Sequence, residues 1–173
     1  MSIVTIRGIY RDRLLDPEGR LISDSGWRKN LIVLPCRVLL AGFLKNETAL
    51  GIQSLQVGRG SAAWDTTPPP LPDPNNTDQL VDTAPFTIPL AKLKVDYLDS
   101  ADSVVATPTN RIQITATLGP GEPTPAGSRP FPLREFGLFG SLNGVARMID
   151  YIRHPLIEKD GAVSLERKVR LIF

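Results

Sequence analysis

Cysteine and histidine are nearly absent from this chain of 173 residues: Cys36 and His154 each stand alone. A single cysteine excludes an internal disulfide and a thiolate metal cluster. A single histidine leaves a metal site or a catalytic triad short of partners. Aromatic residues make up only 6%, little material for stacking platforms. Neither sign of charge dominates, with 20 Lys and Arg against 18 Asp and Glu. No strong field therefore points to nucleic acid. No apolar run approaches the roughly 18 residues of a membrane span. The opening Met1–Arg13 has no apolar core of signal-peptide length, so no export by that route is expected. No metal, cofactor or nucleic-acid partner is expected, and the lone cysteine suits synthesis in a reducing cytoplasm.

Proline and glycine are plentiful, at 16 and 14 residues, and 42% of the chain is hydrophobic. That mixture predicts one mainly β domain over residues 1–173, a β-sandwich or twisted antiparallel sheet with long Pro-rich loops. Strands are predicted at Ser2–Tyr10, Arg20–Ile22, Ile52–Val57, Phe86–Leu98, Asn110–Leu118, Val145–Arg153 and Ala162–Phe173. Asp16, Pro17 and Gly19 make a turn after the first strand, and Asn143-Gly144 signals a hairpin. A phase change near Ala91 predicts a β-bulge. One packed helix is predicted at about 34–44, with Asn30 as a cap, Pro35 confined to its first turn and a wide apolar stripe that buries most of it. Residues 61–82, with Pro68, Pro69, Pro70, Pro72 and Pro74, and residues 119–130 are long loops, expected to act as contact arms for partners.

The chain is organised around Leu133–Gly140, LREFGLFG, where Glu135 stands among large apolar residues. A buried carboxylate needs a partner. Arg134, Arg147 and Arg153 are the candidates, and a structural ion pair of Glu135 with Arg147 is the expectation, in preference to a catalytic acid. His154 is expected at a turn or rim, and Cys36 as a buried, inert thiol. Gly58-Arg59-Gly60 lacks the full pattern of a phosphate loop. Asp96, Asp99 and Asp102 are expected as solvated loop acids, since nothing in their spacing forces a pair across a cleft. Trp27 and Trp64 sit in loops, where each is either a partner or sugar contact or the packing of its own loop.

The order of these motifs resembles small structural proteins of tailed bacteriophages and phage-like particles. The matching positions are Asn30 before the helix, Val57-Gly58-Arg59-Gly60 after a strand, Glu135-Phe136-Gly137-Leu138-Phe139, Ala146-Arg147 and Lys159-Asp160. The resemblance runs from about Gly26 to Phe173, and its motifs are short. It implies a non-enzymatic virion component of the tail, baseplate, fibre or neck, made in the host cytoplasm and associating with itself, as a trimer or hexamer, and with neighbouring particle proteins. A carbohydrate-binding β-sandwich module with a glycan ligand is the alternative, and a polysaccharide hydrolase a further one.

Overall fold

The computed structural model describes residues 5–173. Its strands are β1 (Arg7–Leu15), β2 (Leu21–Asp24), β3 (Arg28–Lys29), β4 (Leu31–Ile32), β5 (Ala49–Gly58), β6 (Phe86–Pro89), β7 (Leu93–Leu98), β8 (Val104–Val105), β9 (Arg111–Leu118), β10 (Phe131–Leu142), β11 (Val145–Lys159) and β12 (Ser164–Ile172). The one α-helix among the described residues, α1, spans Leu34–Leu44. The expected first strand begins at Arg7, and the start of that prediction, at Ser2–Val4, lies outside the described residues.

The strands form two antiparallel sheets. One runs β2-β1-β12-β9-β7-β8, with β3 also paired to β1, and the other runs β4-β11-β10-β5-β6. Their inner faces meet in one core. Tyr10, Ile114, Ala116, Leu165, Val169 and Leu171 come from the first sheet, and Leu55, Val57, Leu133, Phe136, Leu138 and Ile152 from the second. This is a β-sandwich, and the clean alternation of β9 and β12 follows from having one face inward. Asp16 accepts backbone N–H bonds from Glu18 and Arg20 at the first turn, where Gly19 takes φ of 79°. Asn143 and Gly144 both have positive φ, which a tight two-residue hairpin between β10 and β11 requires.

Three expectations are corrected. The phase change near Ala91 is not a bulge: a 3₁₀ turn at Leu90–Lys92 carries the chain from β6 in one sheet to β7 in the other. Asn30 does not cap α1, whose N-cap is Val33 and has no side-chain bond. Nor is the helix largely buried. Cys36, Leu39 and Gly42 pack inward, but Leu34, Val38, Phe43 and Leu44 are exposed. Its apolar stripe is wider than the surface available to cover it.

Gly140 lies where β10 meets the irregular part of β5. A Cβ there would fall 2.7 Å from the Gly51 carbonyl oxygen and 2.9 Å from that of Leu50. Backbone atoms cannot swing aside. Gly140→Ala should therefore destabilise the fold by about 1–3 kcal/mol, read as a lower urea midpoint. An unchanged midpoint would show that β5 yields at this point.

Candidate functional site

β10 lies in the middle of its sheet, paired on both edges, and both of its faces are covered as well. Leu133, Phe136 and Leu138 face the other sheet. Phe139 faces the opposite way, in a second cluster with Val33, Leu80, Met148 and Tyr151. Glu135 also faces this outer side and is fully buried. Its carboxylate accepts the backbone N–H of Val81 at 3.0 Å and of Asp82 at 2.7 Å, and the Tyr151 hydroxyl. Burial and the adjacent carboxylate push the Tyr151 phenol well above its ordinary range.

The expected Glu135–Arg147 ion pair is therefore not formed. Arg147 stands opposite Gly140 in the β10–β11 register, whereas Glu135 stands opposite Arg153. Arg153 does not pair with the carboxylate either: its Nε donates to the Tyr151 hydroxyl at 3.1 Å and its Nη1 to the Pro70 carbonyl at 2.8 Å. Arg134 forks onto Asp65 at 2.6 and 2.7 Å and donates to the Arg59 carbonyl at 2.9 Å. The physical reason is shared need. An irregular loop carries backbone N–H groups with no ladder to join, and a buried carboxylate needs donors.

Residues 61–82 are thus fastened to the sheet. Trp64 packs close to Gly60, where a Cβ would lie 2.4 Å from the ring, and Arg153 lies 5.1 Å over the ring. Asp82 accepts the Arg59 N–H at 2.7 Å. Pro74 accepts the first N–H of α1, from Leu34, at 2.8 Å. Among the proline candidates, Pro69, Pro72 and Pro74 are half-buried and Pro68 and Pro70 exposed. Trp27 is half-buried with Arg170 4.0 Å over its ring. Each tryptophan is half-buried and carries an arginine over its ring. The 119–130 loop is tied at its base by Lys159, fully buried, whose ammonium donates to the carbonyls of Gly119, Asp160 and Val163.

A second polar chain crosses between the sheets. Arg167 on β12 forks onto Asp12 on β1 at 2.6 and 2.8 Å, and its Nη2 lies 3.0 Å from His154 Nε2 on β11. His154 Nδ1 is 2.8 Å from the Pro155 carbonyl. The ring is therefore neutral, donating from Nδ1 and accepting at Nε2, and burial and Arg167 hold its pKa down at about 4. Burial alone would raise the Asp12 carboxyl, but Arg167 brings it below the ordinary value. Arg167 also lies 4.0 Å over the Phe136 ring. His154 is thus not at a turn or rim. It is 2% exposed, in an irregular stretch of β11 where Pro155 cannot donate to the ladder.

Asp150 was not singled out by the sequence, although a carboxylate inside Met148–Ile152 is the visible trace. A bulge opposite Leu138 and Phe139 turns it inward. It accepts the Leu138 N–H at 2.9 Å and the Asn30 amide at 2.6 Å. Burial raises its pKa to about 7. Asn30 in turn occupies the space over Gly8, where a Cβ would fall 1.7 Å from its side-chain oxygen.

The other carboxylates do not converge. Asp99 caps its own turn through the N–H groups of Ala101 and Ser103, Asp102 binds Arg111 and Arg170, and Asp96 lies beside Lys94, all at the first sheet. Glu135 belongs to the other sheet. Cys36 is buried and its thiol is pushed up to about 11, as an inert core residue should be. Among the described residues no group of three or more His, Cys, Asp and Glu is placed to hold a metal. No helix among them is long and apolar enough to cross a membrane. Comparison with protein-family models, with curated proteins and with solved structures finds no match.

Glu135→Ala should cost about 2–4 kcal/mol, since it strands two loop N–H groups and a phenol, and should speed proteolysis within residues 61–82. Arg147→Ala should stay within about 0.5 kcal/mol. Urea titration of both variants decides, and equal effects would count against the anchoring role.

Asp150 and His154 give opposite pH slopes. A carboxyl raised in the fold contributes stability that is lost as pH rises from about 4 towards 7. A histidine lowered in the fold contributes stability that is lost as pH falls from about 6.5 towards 4. In the native chain the two oppose each other. Asp150→Asn should leave a melting temperature that climbs from pH 4 to 6.5 more steeply than wild type. Parallel curves would refute the assignment.

Proposed function

We propose that the chain is a non-enzymatic structural component of a tailed phage or phage-like particle, which self-associates and connects neighbouring tail, baseplate, fibre or neck subunits. One exposed apolar end carries this reading. Asn143 at the hairpin tip donates its backbone N–H to the Thr48 carbonyl at 2.7 Å and its side-chain amide to Glu47 at 3.0 Å. Gly42 of α1 packs against Leu142 of the same hairpin. These contacts gather the end of α1, the start of β5 and the β10–β11 tip. Phe43, Leu44, Leu50 and Val145 emerge there with exposures of 64%, 79%, 49% and 53%. Grouped apolar residues of this kind mark contact surfaces, unlike scattered ones. Each large side chain contributes about 1.5–3 kcal/mol when fully covered.

The phage setting rests on the motif order. The resembling residues support the reading in kind, because they do scaffold work. Asn30 binds Asp150, Gly58 leaves room for Glu135, and Gly60 leaves room for Trp64. A carbohydrate-binding module is the second reading. It is favoured by an open cleft of about 590 Å³ lined by Gln56, Asn76, Asp78, Gln79 and Arg153, whose planar polar groups suit sugar hydroxyls.

Light scattering over a concentration series tests the first reading. The wild-type mass should rise above the 18.9 kDa of one chain. Phe43→Ser with Leu44→Ser should shift that rise to at least tenfold higher concentration while the melting temperature stays within a few degrees. Equal association of the two proteins would remove the apolar end from the account. Binding of a glycan by a strictly monomeric chain would favour the second reading.

A further inference from the structure

Two surface features outside the apolar end complement each other. The first is a knob. Leu71 is 95% exposed and sits between prolines at 70 and 72. The backbone is held on both sides of it, by Arg153 at the Pro70 carbonyl and by the Leu34 N–H at the Pro74 carbonyl, each at 2.8 Å. Asp73 fixes the following turn by accepting the Asn75 N–H at 2.9 Å. A leucine on a stiffened, anchored backbone has already lost the entropy that docking would cost. The surrounding loop is acidic. Residues 61–82 contain four aspartates and no lysine or arginine; Asp65 and Asp82 are already paired with Arg134 and Arg59, and Asp73 and Asp78 join no ion pair among the described residues.

The second feature is a cleft of about 610 Å³ where the two sheets part between β1 and β4. Ile9, Leu31 and Ile172 help form its apolar wall, and Arg7, Lys29 and Arg37 stand along it. No carboxylate is among the described residues that line it. None of these three cations joins an ion pair among the described residues. The cleft therefore suits an occupant that is apolar at its tip and acidic at its flanks, which is the character of the Leu71 loop.

We propose that Leu71 of one copy seats in this cleft on a second copy, with the acidic loop against Arg7, Lys29 and Arg37. The inference rests on the self-association reading and adds a second contact to the apolar end. Pro74 lines the same cleft, so knob and cleft adjoin on one face of the molecule. Adjoining complementary parts close reciprocally about a two-fold axis, each copy giving one knob and receiving one. Such a pair is also a unit from which a hexamer with dihedral symmetry is built.

Mixing a Leu71→Cys chain with a Lys29→Cys chain under mild oxidation tests the contact. Cys36 is buried, and the wild-type chain controls for it. The expected product is an intermolecular disulfide between positions 71 and 29, identified by mass spectrometry of the linked peptides. It should fall at least tenfold when Arg37→Glu is added to the Lys29→Cys chain, and should weaken in high salt. It should persist when Phe43→Ser and Leu44→Ser are added. A mixture that associates by light scattering yet yields no such link overturns the knob-and-cleft contact and leaves self-association standing. A mixture that stays at monomer mass and yields no link overturns both. Full linkage in the Arg37→Glu background overturns the charge pairing on which the choice of cleft rests.

Discussion

A carboxylate in the middle of a covered sheet must be given donors, and the way Glu135 receives them sets much of this structure. Arg134 beside it on β10 turns away to Asp65, and no cation pairs with Glu135 among the described residues. The donors are two backbone N–H groups of a distant loop and one phenol. Residues 81 and 82 are consequently fixed, and with them Leu80, which closes the outer cluster over Phe139, Met148 and Tyr151. Asp82 in turn holds Arg59, and Gly58 leaves the space that the carboxylate fills. A 22-residue proline-rich segment (61–82) that would otherwise wander becomes one wall of the sandwich. Removing the carboxylate would unfasten that wall before it disturbed the inner core.

The two sheets are joined by more than apolar packing. Asp12, Arg167 and His154 come from three strands and both sheets, and their hydrogen bonds run in one chain between them. Packing alone tolerates a small slide of one sheet over the other, whereas the Arg167–His154 contact, its guanidinium held in place by the fork onto Asp12 in the same sheet, resists it. Asp150 and Asn30 add a second fixed point beside the short strands β3 and β4, where the chain passes from the first sheet to the second. Polar groups here specify alignment, and the apolar core supplies the stabilisation.

The elements that were legible in the sequence are those whose signal is local. Pro35 in the first turn bounded α1, Asn143-Gly144 announced the hairpin, and the alternation of Ile112–Leu118 marked β9. What stayed hidden depends on the partner. A phase change at Ala91 looks the same for a bulge and for a crossing between sheets. Glu135 invited a search for an arginine, because backbone donors leave no mark in a sequence. Arg167 and Asp150 left faint traces, each as a charge within an apolar strand. His154 left none, since a histidine before proline belongs equally well at a turn. The wide stripe of α1 could not distinguish burial within the chain from burial against another molecule.

That last ambiguity bears on function. α1 keeps one narrow line of contact with the sandwich and leaves Leu34, Val38, Phe43 and Leu44 facing out. Leu71 is displayed on anchored backbone midway along the loop, nine residues before Leu80, which closes the outer cluster. For an isolated chain in water these placements are unfavourable, since exposed apolar surface orders water and rigid backbone gains nothing from its rigidity. They become favourable once a neighbour covers them, because the backbone is already ordered and the desolvation of apolar surface then has only the rigid-body entropy of association to offset. On the self-association proposed above, a loop fastened by a buried glutamate, two arginines and a tryptophan, with Leu71 left bare, would hold its contact surface in shape before any partner arrives.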